Sequence, residues 1–443
     1  MSIVLSLDIG TSKIAAVAFD CETRQLVEVV TAVNSATVSG LAPGRHEQDA
    51  APIYDICLQL LRQLIGCGAF PAAAVRTIAI SGQMHGVLLV DRELRPLTNL
   101  ITWCDQRASE LTARINRGSW PTDRTGCFLH PGYGGATLAV WADQNAIPAG
   151  STALTIADFV AAKLSGVIAT DASHAASWGI MDIRKACWDR EIIDRLGIPL
   201  AILPEIKPGL SELGKLRVDL GLASTVTVRL PLGDNQASFI GTCGLANDAM
   251  LLNLGTGGQI SLPCPNFNFR PELETRPLPF GGYLLVGASL CGGRSYAHLK
   301  DFFKHTIQSF TGQTMADEAL YAAMNRLAES IGAELTVDTR FAGTRMHPDA
   351  RGEVSGIGIN NFTPAALARG FVRGMVRELT GMVDRNTAEK FKEVLISGNA
   401  IRKNPLAQQF ITEELGLPCV PADHREEAAT GAALAAAHAA GLL

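Results

Sequence analysis

Leu5-Ser6-Leu7-Asp8-Ile9-Gly10-Thr11-Ser12-Lys13-Ile14-Ala15 reads as an apolar strand, a glycine turn and a second strand. The chain repeats the pattern at Leu251-Leu252-Asn253-Leu254-Gly255-Thr256-Gly257-Gly258-Gln259-Ile260-Ser261. In both copies a polar residue, an apolar residue and Gly-Thr lead into the second strand. A unit repeated this way predicts two domains of the same architecture. Around the first copy, Gln25 to Ala32 predicts a third strand. A helix follows from about Pro52 to Ile65. Ile53, Ile56, Cys57, Leu60, Leu61 and Leu64 form its apolar face, Asp49 is a candidate cap, and Pro52 suits its first turn. VRTIAIS (75–81) and HGVLLVD (85–91) read as buried strands. Strands followed by strand–helix alternation indicate an α/β layer.

The chain has 443 residues, which at roughly 100–200 residues per domain predicts two or three domains. Apolar residues make up 47% and charged residues 18%, so a disordered or heavily solvated chain is excluded. Lys and Arg number 38 against 43 Asp and Glu, a net charge of −5. With no basic block, nothing draws the chain to nucleic acid or an anionic membrane. No run approaches the ~20 apolar residues that span a bilayer. The opening MSIVLSLDIG lacks a basic region and is interrupted by Asp8, which argues against a signal peptide. A cytoplasmic protein is expected. The ten cysteines form no C-x-x-C pair and read as reduced core residues.

The domain boundary is expected near Gly241–Asn247, after a helix in NQASFIGTCGL, giving domains of 1–243 and 244–443. Leu262 to Phe280 is rich in proline and reads as a long surface loop or hairpin excursion. One long helix is expected from Pro364 to Glu389, then a strand in KEVLISG, then a last helix from about Glu426.

Asp8, Gly10 and Thr11 place a carboxylate, a tight backbone and a hydroxyl at one turn. Such a turn can cradle phosphate oxygens while the carboxylate holds a water on Mg²⁺. Alone it reads more readily as an ordinary hairpin turn with an Asx motif, because turns are common. The second copy, Gly255-Thr256-Gly257, suggests two hairpins clamping one polyphosphate. Asp234 follows the strand TVTVRLPL and opens a helix at the domain boundary. It is either a general base at an interdomain cleft or a helix cap. Gln83, Met84 and His85 close a strand, and Trp103 with Asp105 adds an aromatic face and a carboxylate. Polyol sites use this mixture. Gly398 and Asn399 form a glycine turn after a strand. Gly431 and Ala432 suit either the underside of an adenine or close helix packing.

With these residues in hand, the chain resembles the FGGY carbohydrate kinases, most of all their sedoheptulokinase-like members. The resemblance runs from Ile3 to about Ala440. It is carried by LDIGTS (7–12), GRHEQDA (44–50), ISGQMHGV (80–87), TWCDQR (102–107), GYGGATL (132–138), ASWG (176–179), LGDNQAS (232–238), LGTGGQ (254–259), ASLCGG (288–293), ISGNAIRKNP (396–405) and EEAATGAA (426–433). GYGGATL and ASWG tilt it toward sedoheptulokinase, whereas SGQMHG is shared with xylulokinase-like members. The resemblance implies an α/β fold of two ribonuclease-H-like domains, of the actin and hexokinase type, with a cleft between them. It implies ATP and Mg²⁺ as cofactors and transfer of the γ-phosphoryl group to the terminal hydroxyl of a ketose. Asp234 is then the base. Gln83, Met84, His85, Trp103 and Asp105 contact the sugar, and Asp8 supports the metal. Thr11, Ser12, Lys13, Gly255, Thr256 and Gly257 grip phosphates, and Gly398, Asn399, Lys403 and Asn404 border adenosine. The family usually has a Lys or Arg four residues after the Thr of the first hairpin; here Ala15 stands there, with Lys13 on the same strand face. Gly343-Thr344-Arg345 replaces the common Gly-Glu-Arg. The alternatives are a xylulose or ribulose kinase, and a non-catalytic sugar- or nucleotide-binding sensor. A homodimer is compatible with the chain.

Overall fold

The computed structural model describes residues 1–347, 349–422 and 426–443. The opening stretch folds as the repeat predicts. β1 (Ile3–Ile9) turns at Gly10 into β2 (Lys13–Asp20), and β3 (Gln25–Val33) continues the antiparallel meander. The turn requires glycine. The Gly10 N–H donates to Lys13 O at 3.0 Å, and a Cβ at position 10 would lie 2.7 Å from that oxygen. α1 (Ala50–Gly66) follows, with the Asp49 carboxylate accepting from Ala51 N. Its Ile53, Cys57, Leu60, Leu61 and Leu64 are buried against the sheet. Each such leucine or isoleucine contributes about 1.5–3 kcal/mol by leaving water. β4 (Val75–Gly82) then pairs parallel with β1.

α2 (Ile156–Ser165) packs on the same core, capped by a reciprocal Thr155–Asp158 box. The sheet is finished by β5 (Glu212–Lys215), β6 (Thr227–Arg229) and β7 (Leu232–Gly233). Its order is β5-β6-β4-β1-β2-β3, with β7 pairing the far end of β4. β7 runs directly into α3 (Asp234–Cys243).

The second sheet repeats the first. β8 (Met250–Leu254) turns into β9 (Gly258–Cys264). β10 (Glu274–Pro277) and β11 (Tyr283–Ser289) extend it antiparallel. α4 (Gly293–Thr311) and α5 (Pro364–Thr380) pack over it. β12 (Val394–Ser397) and β13 (Cys419–Pro421) add in parallel beyond β8. The order is β10-β11-β9-β8-β12-β13. Both sheets are therefore a three-strand meander whose first strand continues into a parallel half. That duplication agrees with the two ribonuclease-H-like domains the resemblance implied.

Two expectations are corrected. The stretch 262–280 is not all loop: Glu274–Pro277 is an edge strand whose Thr275 and Arg276 are buried. Proline is tolerated there because an edge strand has one unpaired side. The helix expected over 364–389 stops at Thr380, capped by Gly381, and a short separate helix Arg385–Ala388 is capped by Asp384.

α6 (Glu427–Ala439) ends the chain but leaves its own sheet. It crosses α3 and packs against the β1–β2 side of the first sheet. The crossing is backbone on backbone. A Cβ at Gly431 would lie 1.8 Å from Ala237 O, and one at Gly241 would lie 1.9 Å from Glu427 O. Ala432, Ala433, Ala435, Ala436 and Ala437 are fully buried around it. Among the described residues, no helix is long and apolar enough to cross a membrane.

Candidate active site

Asp234 is the first residue of α3, at the seam of the two sheets. Gly233 is the N-cap of α3, so the capping alternative does not hold for Asp234. The residues after Asp234 tie the helix to the second sheet. Asn235 Nδ2 donates to Gln259 Oε1 at 2.9 Å, and Gln236 Nε2 donates to Pro277 O at 3.1 Å. Burial pushes the Asp234 carboxyl up to about 7, and the neighbouring carboxylate of Asp8 pushes the same way; Arg276 opposes both. Asp8, at the end of β1, is itself raised by burial, while a 2.7 Å bond from Ser81 Oγ favours its ionised form. Two half-buried carboxylates that disfavour each other's charge suit a divalent cation. Among the described residues, no group of three or more His, Cys, Asp or Glu side chains could hold one alone. Phosphate oxygens and water would complete its shell, as Mg²⁺ commonly requires.

Beside this pair, three sequence motifs close one ring of hydrogen bonds, and a fourth donates into it. Trp103 Nε1 donates to Thr11 Oγ1 at 3.0 Å, and Thr11 Oγ1 donates to Gln83 Oε1 at 3.0 Å. Gln83 Nε2 donates to Gln48 Oε1 at 2.9 Å, and Gln48 Nε2 donates back to Thr11 O at 2.8 Å. Thr11, Gln83 and Trp103 thus act as one unit, with the indole 49% exposed.

His85 is held in a strained turn. Its φ is +73°, and Gly86 N donates to Met84 O at 2.9 Å, closing a γ-turn around it. The ASWG motif holds the turn: Ser177 Oγ accepts from His85 N at 3.0 Å, and Ser177 O lies 2.8 Å from His85 Nδ1. A carbonyl only accepts, so Nδ1 carries the proton. Burial and the nearby Arg276 push the ring's pKa down to about 3. The imidazole is neutral, and Nε2 is left as an acceptor. The ring stacks on Tyr133 at 4.2 Å. Trp178 explains the other motif: it donates to Gly86 O at 3.1 Å, and its ring lies where a Cβ on Gly134 would be.

The Tyr133 hydroxyl donates to Glu274 Oε1 at 2.5 Å. Arg345 also bonds that oxygen, and Arg276 Nη2 donates to Glu274 Oε2 at 2.7 Å. The two guanidinium groups hold the Glu274 carboxyl well below the usual range despite its burial. This cluster joins the two halves of the molecule across the cleft. Sequence reading missed Gln48, Tyr133, Ser177, Glu274, Arg276 and Arg345 as site residues. Gln48, Tyr133 and Ser177 lie inside quoted motifs, which was the available signal. Arg276 lies in the proline-rich stretch.

The second hairpin forms a separate group. Gly293 N donates to Gly255 O and Arg294 N to Thr256 O, both at 3.1 Å. Gly257 packs under Gly292, whose Cβ would lie 2.3 Å from it. Gly398 has φ +91°, and a Cβ there would lie 2.5 Å from Leu254 O, so the glycine turn lies against the base of this hairpin. The remaining candidates are placed otherwise. Asp105 is fully buried, with its oxygens accepting from Arg107 and from His46 N at 2.8 Å. Ser12 is exposed at the first hairpin. Lys13 Nζ lies 2.7 Å from both carboxylate oxygens of Glu426. Lys403 is exposed, and Asn404 caps the helix Pro405–Leu415 through Ala407 N. The Asn399 side chain lies outside the described residues. Gly431 lies in the α3–α6 crossing, which is the packing alternative.

Residues 3–241 match the FGGY family of carbohydrate kinases, N-terminal domain, and residues 255–440 match the FGGY family of carbohydrate kinases, C-terminal domain. The chain is 27% identical to the sedoheptulokinase of Mus musculus, over 98% of this chain and 96% of that protein. It is 26% identical to the glycerol kinase of Polaromonas naphthalenivorans (strain CJ2), over 98% of this chain and 90% of that protein. Its fold matches the crystal structure of gluconate kinase from Lactobacillus acidophilus, with a TM-score of 0.87 and 22% identity. That match covers 100% of this chain and 90% of the other.

Proposed function

The chain belongs to the FGGY family of carbohydrate kinases and is a phosphotransferase with an alcohol acceptor, and from that premise we propose that it transfers the γ-phosphoryl group of ATP to the terminal hydroxyl of a ketose, with sedoheptulose as the acceptor. The observation that carries the reading is Asp234, a half-buried carboxyl of raised pKa at the seam of the sheets, facing Asp8 and flanked by the Met84–His85 turn. The sedoheptulokinase relatives, matched over nearly the whole chain, support the choice of sugar.

In this reading the Asp234 carboxylate accepts the proton of the acceptor hydroxyl. The neutral His85 accepts a sugar hydroxyl at Nε2, and Met84 and the Trp103 indole cover the C–H faces. Gln83 accepts from and orders Thr11 next to the phosphates, so sugar site and phosphate hairpin are aligned by one ring. Asp105 fixes the Trp103 loop through Arg107. Phosphoryl transfer has a loose transition state, so alignment and charge stabilisation supply most of the catalysis. Asp8 would hold Mg²⁺, which supplies charge neutralisation when bound. Residues 1–243 carry the sugar site, first hairpin and base; residues 244–443 carry the second hairpin and the nucleoside site at Gly398. The N–H groups of Thr11, Ser12, Thr256 and Gly257 serve the phosphates, while Gly255 N donates to Gly257 O at 3.0 Å and closes the second turn.

The test is ADP release with Mg-ATP against ketoses, aldoses and polyols, with Asp234→Asn as control. An Asp234-dependent preference for sedoheptulose is expected. Preference for xylulose or ribulose keeps the chemistry and changes the acceptor, and no sugar-dependent turnover with ATP binding intact rejects the kinase reading.

Two further results are expected. Asp8→Asn should raise the Mg²⁺ concentration needed for half-maximal rate by about tenfold or more, as lost metal supports commonly do. It should also move the acidic limb of kcat/KM to lower pH. The sign follows from the pair: Asp8 raises the Asp234 pKa, so removing its charge lets Asp234 ionise earlier. A metal titration and a pH profile check both, and an unchanged metal requirement removes Asp8 from the metal site. His85→Ala should weaken sugar binding by about 10-fold or more, as loss of one buried hydrogen bond predicts, while ATP binding stays near wild type. Calorimetric titration with each ligand checks this; a larger loss for ATP would remove His85 from the sugar site.

A further inference from the structure

Arg276 stands on the edge strand β10 and is 7% exposed. Its Nη2 and Nε face Glu274 Oε2, at 2.7 and 3.3 Å. Among the described residues its Nη1 has no oxygen acceptor; it points at Met84 Sδ, 3.9 Å away, and sulfur is a weak acceptor. That sulfur also abuts Gly233, where a Cβ would lie 2.7 Å from it, so the guanidinium edge is next to Asp234. Charge adds a second observation. Glu274 is one carboxylate serving two guanidinium groups, Arg276 and Arg345. The Arg345 side chain is 29% exposed and can meet water, but that of Arg276 is 8% exposed. A buried N–H of a charged group without an oxygen partner is costly, and a ligand oxygen placed there removes the cost.

We propose that Arg276 is a specificity-determining residue, supplied to the sugar site by the second sheet, that donates from Nη1 to a non-reacting oxygen of the acceptor sugar. This rests on the sugar-kinase reading above and identifies the oxygen-rich substrate class of that same site. An acceptor lacking the oxygen leaves the guanidinium unsatisfied, so it is rejected by more than the loss of one contact. The donor reaches across the cleft from β10 to the Met84–His85 turn. The sugar is therefore read by both halves of the molecule. The field is consistent: Arg276 lowers the pKa of both Asp234 and His85.

Arg276→Met tests this. The variant keeps the aliphatic stem, and Glu274 remains paired with Arg345 and Tyr133. The KM for the preferred sugar should rise about 10–100-fold, as expected for a lost charged hydrogen bond, with the KM for ATP within about twofold. A panel of singly deoxygenated sugars gives the second readout. One deoxy analogue should lose affinity in the wild type by a similar factor and lose little more in the variant. Unchanged sugar KM in an active variant would overturn the proposal. So would a variant whose deoxy penalties all match those of the wild type. A wild-type enzyme that phosphorylates no sugar would instead reject the kinase reading itself, and retained ATP binding in the variant excludes misfolding as the cause of either loss.

Discussion

Asp234→Asn is expected to lower kcat by at least ~10²-fold, the usual loss for a general base, while sugar and ATP still bind. The amide has the shape of the neutral acid, and that acid is well populated near neutral pH because burial and Asp8 raise the carboxyl to about 7. Binding therefore meets a familiar surface, but the proton of the acceptor hydroxyl has no carboxylate to receive it. The pH dependence gives an independent check. A base must be ionised, so wild-type kcat/KM should rise with pH through about 7 and fall tenfold per unit below it. In the variant this limb should vanish. Single-turnover kinetics with sugar in excess measure both quantities. Turnover within threefold of wild type would remove Asp234 from the role.

Gly431→Ala should do as much damage from outside the cleft. The added Cβ meets Ala237 O at 1.8 Å, and Gly241 N is 2.5 Å away. These are backbone atoms in the middle of α3, so no side chain can rotate aside. The helices must separate, which costs about 1–3 kcal/mol or more. α3 begins at Asp234, so its displacement moves the base. A shift of about 1 Å near the reacting atoms costs up to ~10²-fold in rate. A lower melting temperature together with a lower kcat/KM is expected. Gly66→Ala is the control: it lies in α1, has ordinary helical backbone and nothing within 4 Å of the new methyl. It should be neutral or raise stability by about 0.5–1 kcal/mol. Equal stability of the two variants would show that the α3–α6 crossing tolerates a methyl.

The two hairpins were legible because short strands flanking Gly-Thr are a local signal, and because the chain writes it twice. α1 was legible for a similar reason: Ile53, Cys57, Leu60, Leu61 and Leu64 repeat at helical spacing behind an Asp cap. The helix break at Gly381 was not, because the apolar pattern continues through Met382 and Val383, and only the Asp384 cap marks a new start. β10 was hidden by Pro277 and the prolines that flank it, which an edge strand accepts and a sequence pattern reads as loop. Arg276 was hidden with it.

The residues by themselves determined the duplicated α/β architecture, the family and the pool of candidate side chains, since each depends on patterns local to a short segment. Tertiary structure alone decided how those side chains are used. Thr11, Gln48, Gln83 and Trp103 are separated by tens of residues and meet only when β1, β4 and the Trp103 loop are assembled. Asp105, which the sequence offers as a sugar contact, is bonded to Arg107 and His46 in the fold. Lys13 faces Glu426, which lies at the other end of the chain. Hydrogen bonds and charge act over a few ångströms of space. Separation along the chain carries no information about such distances until the two sheets are packed together by α3 and α6.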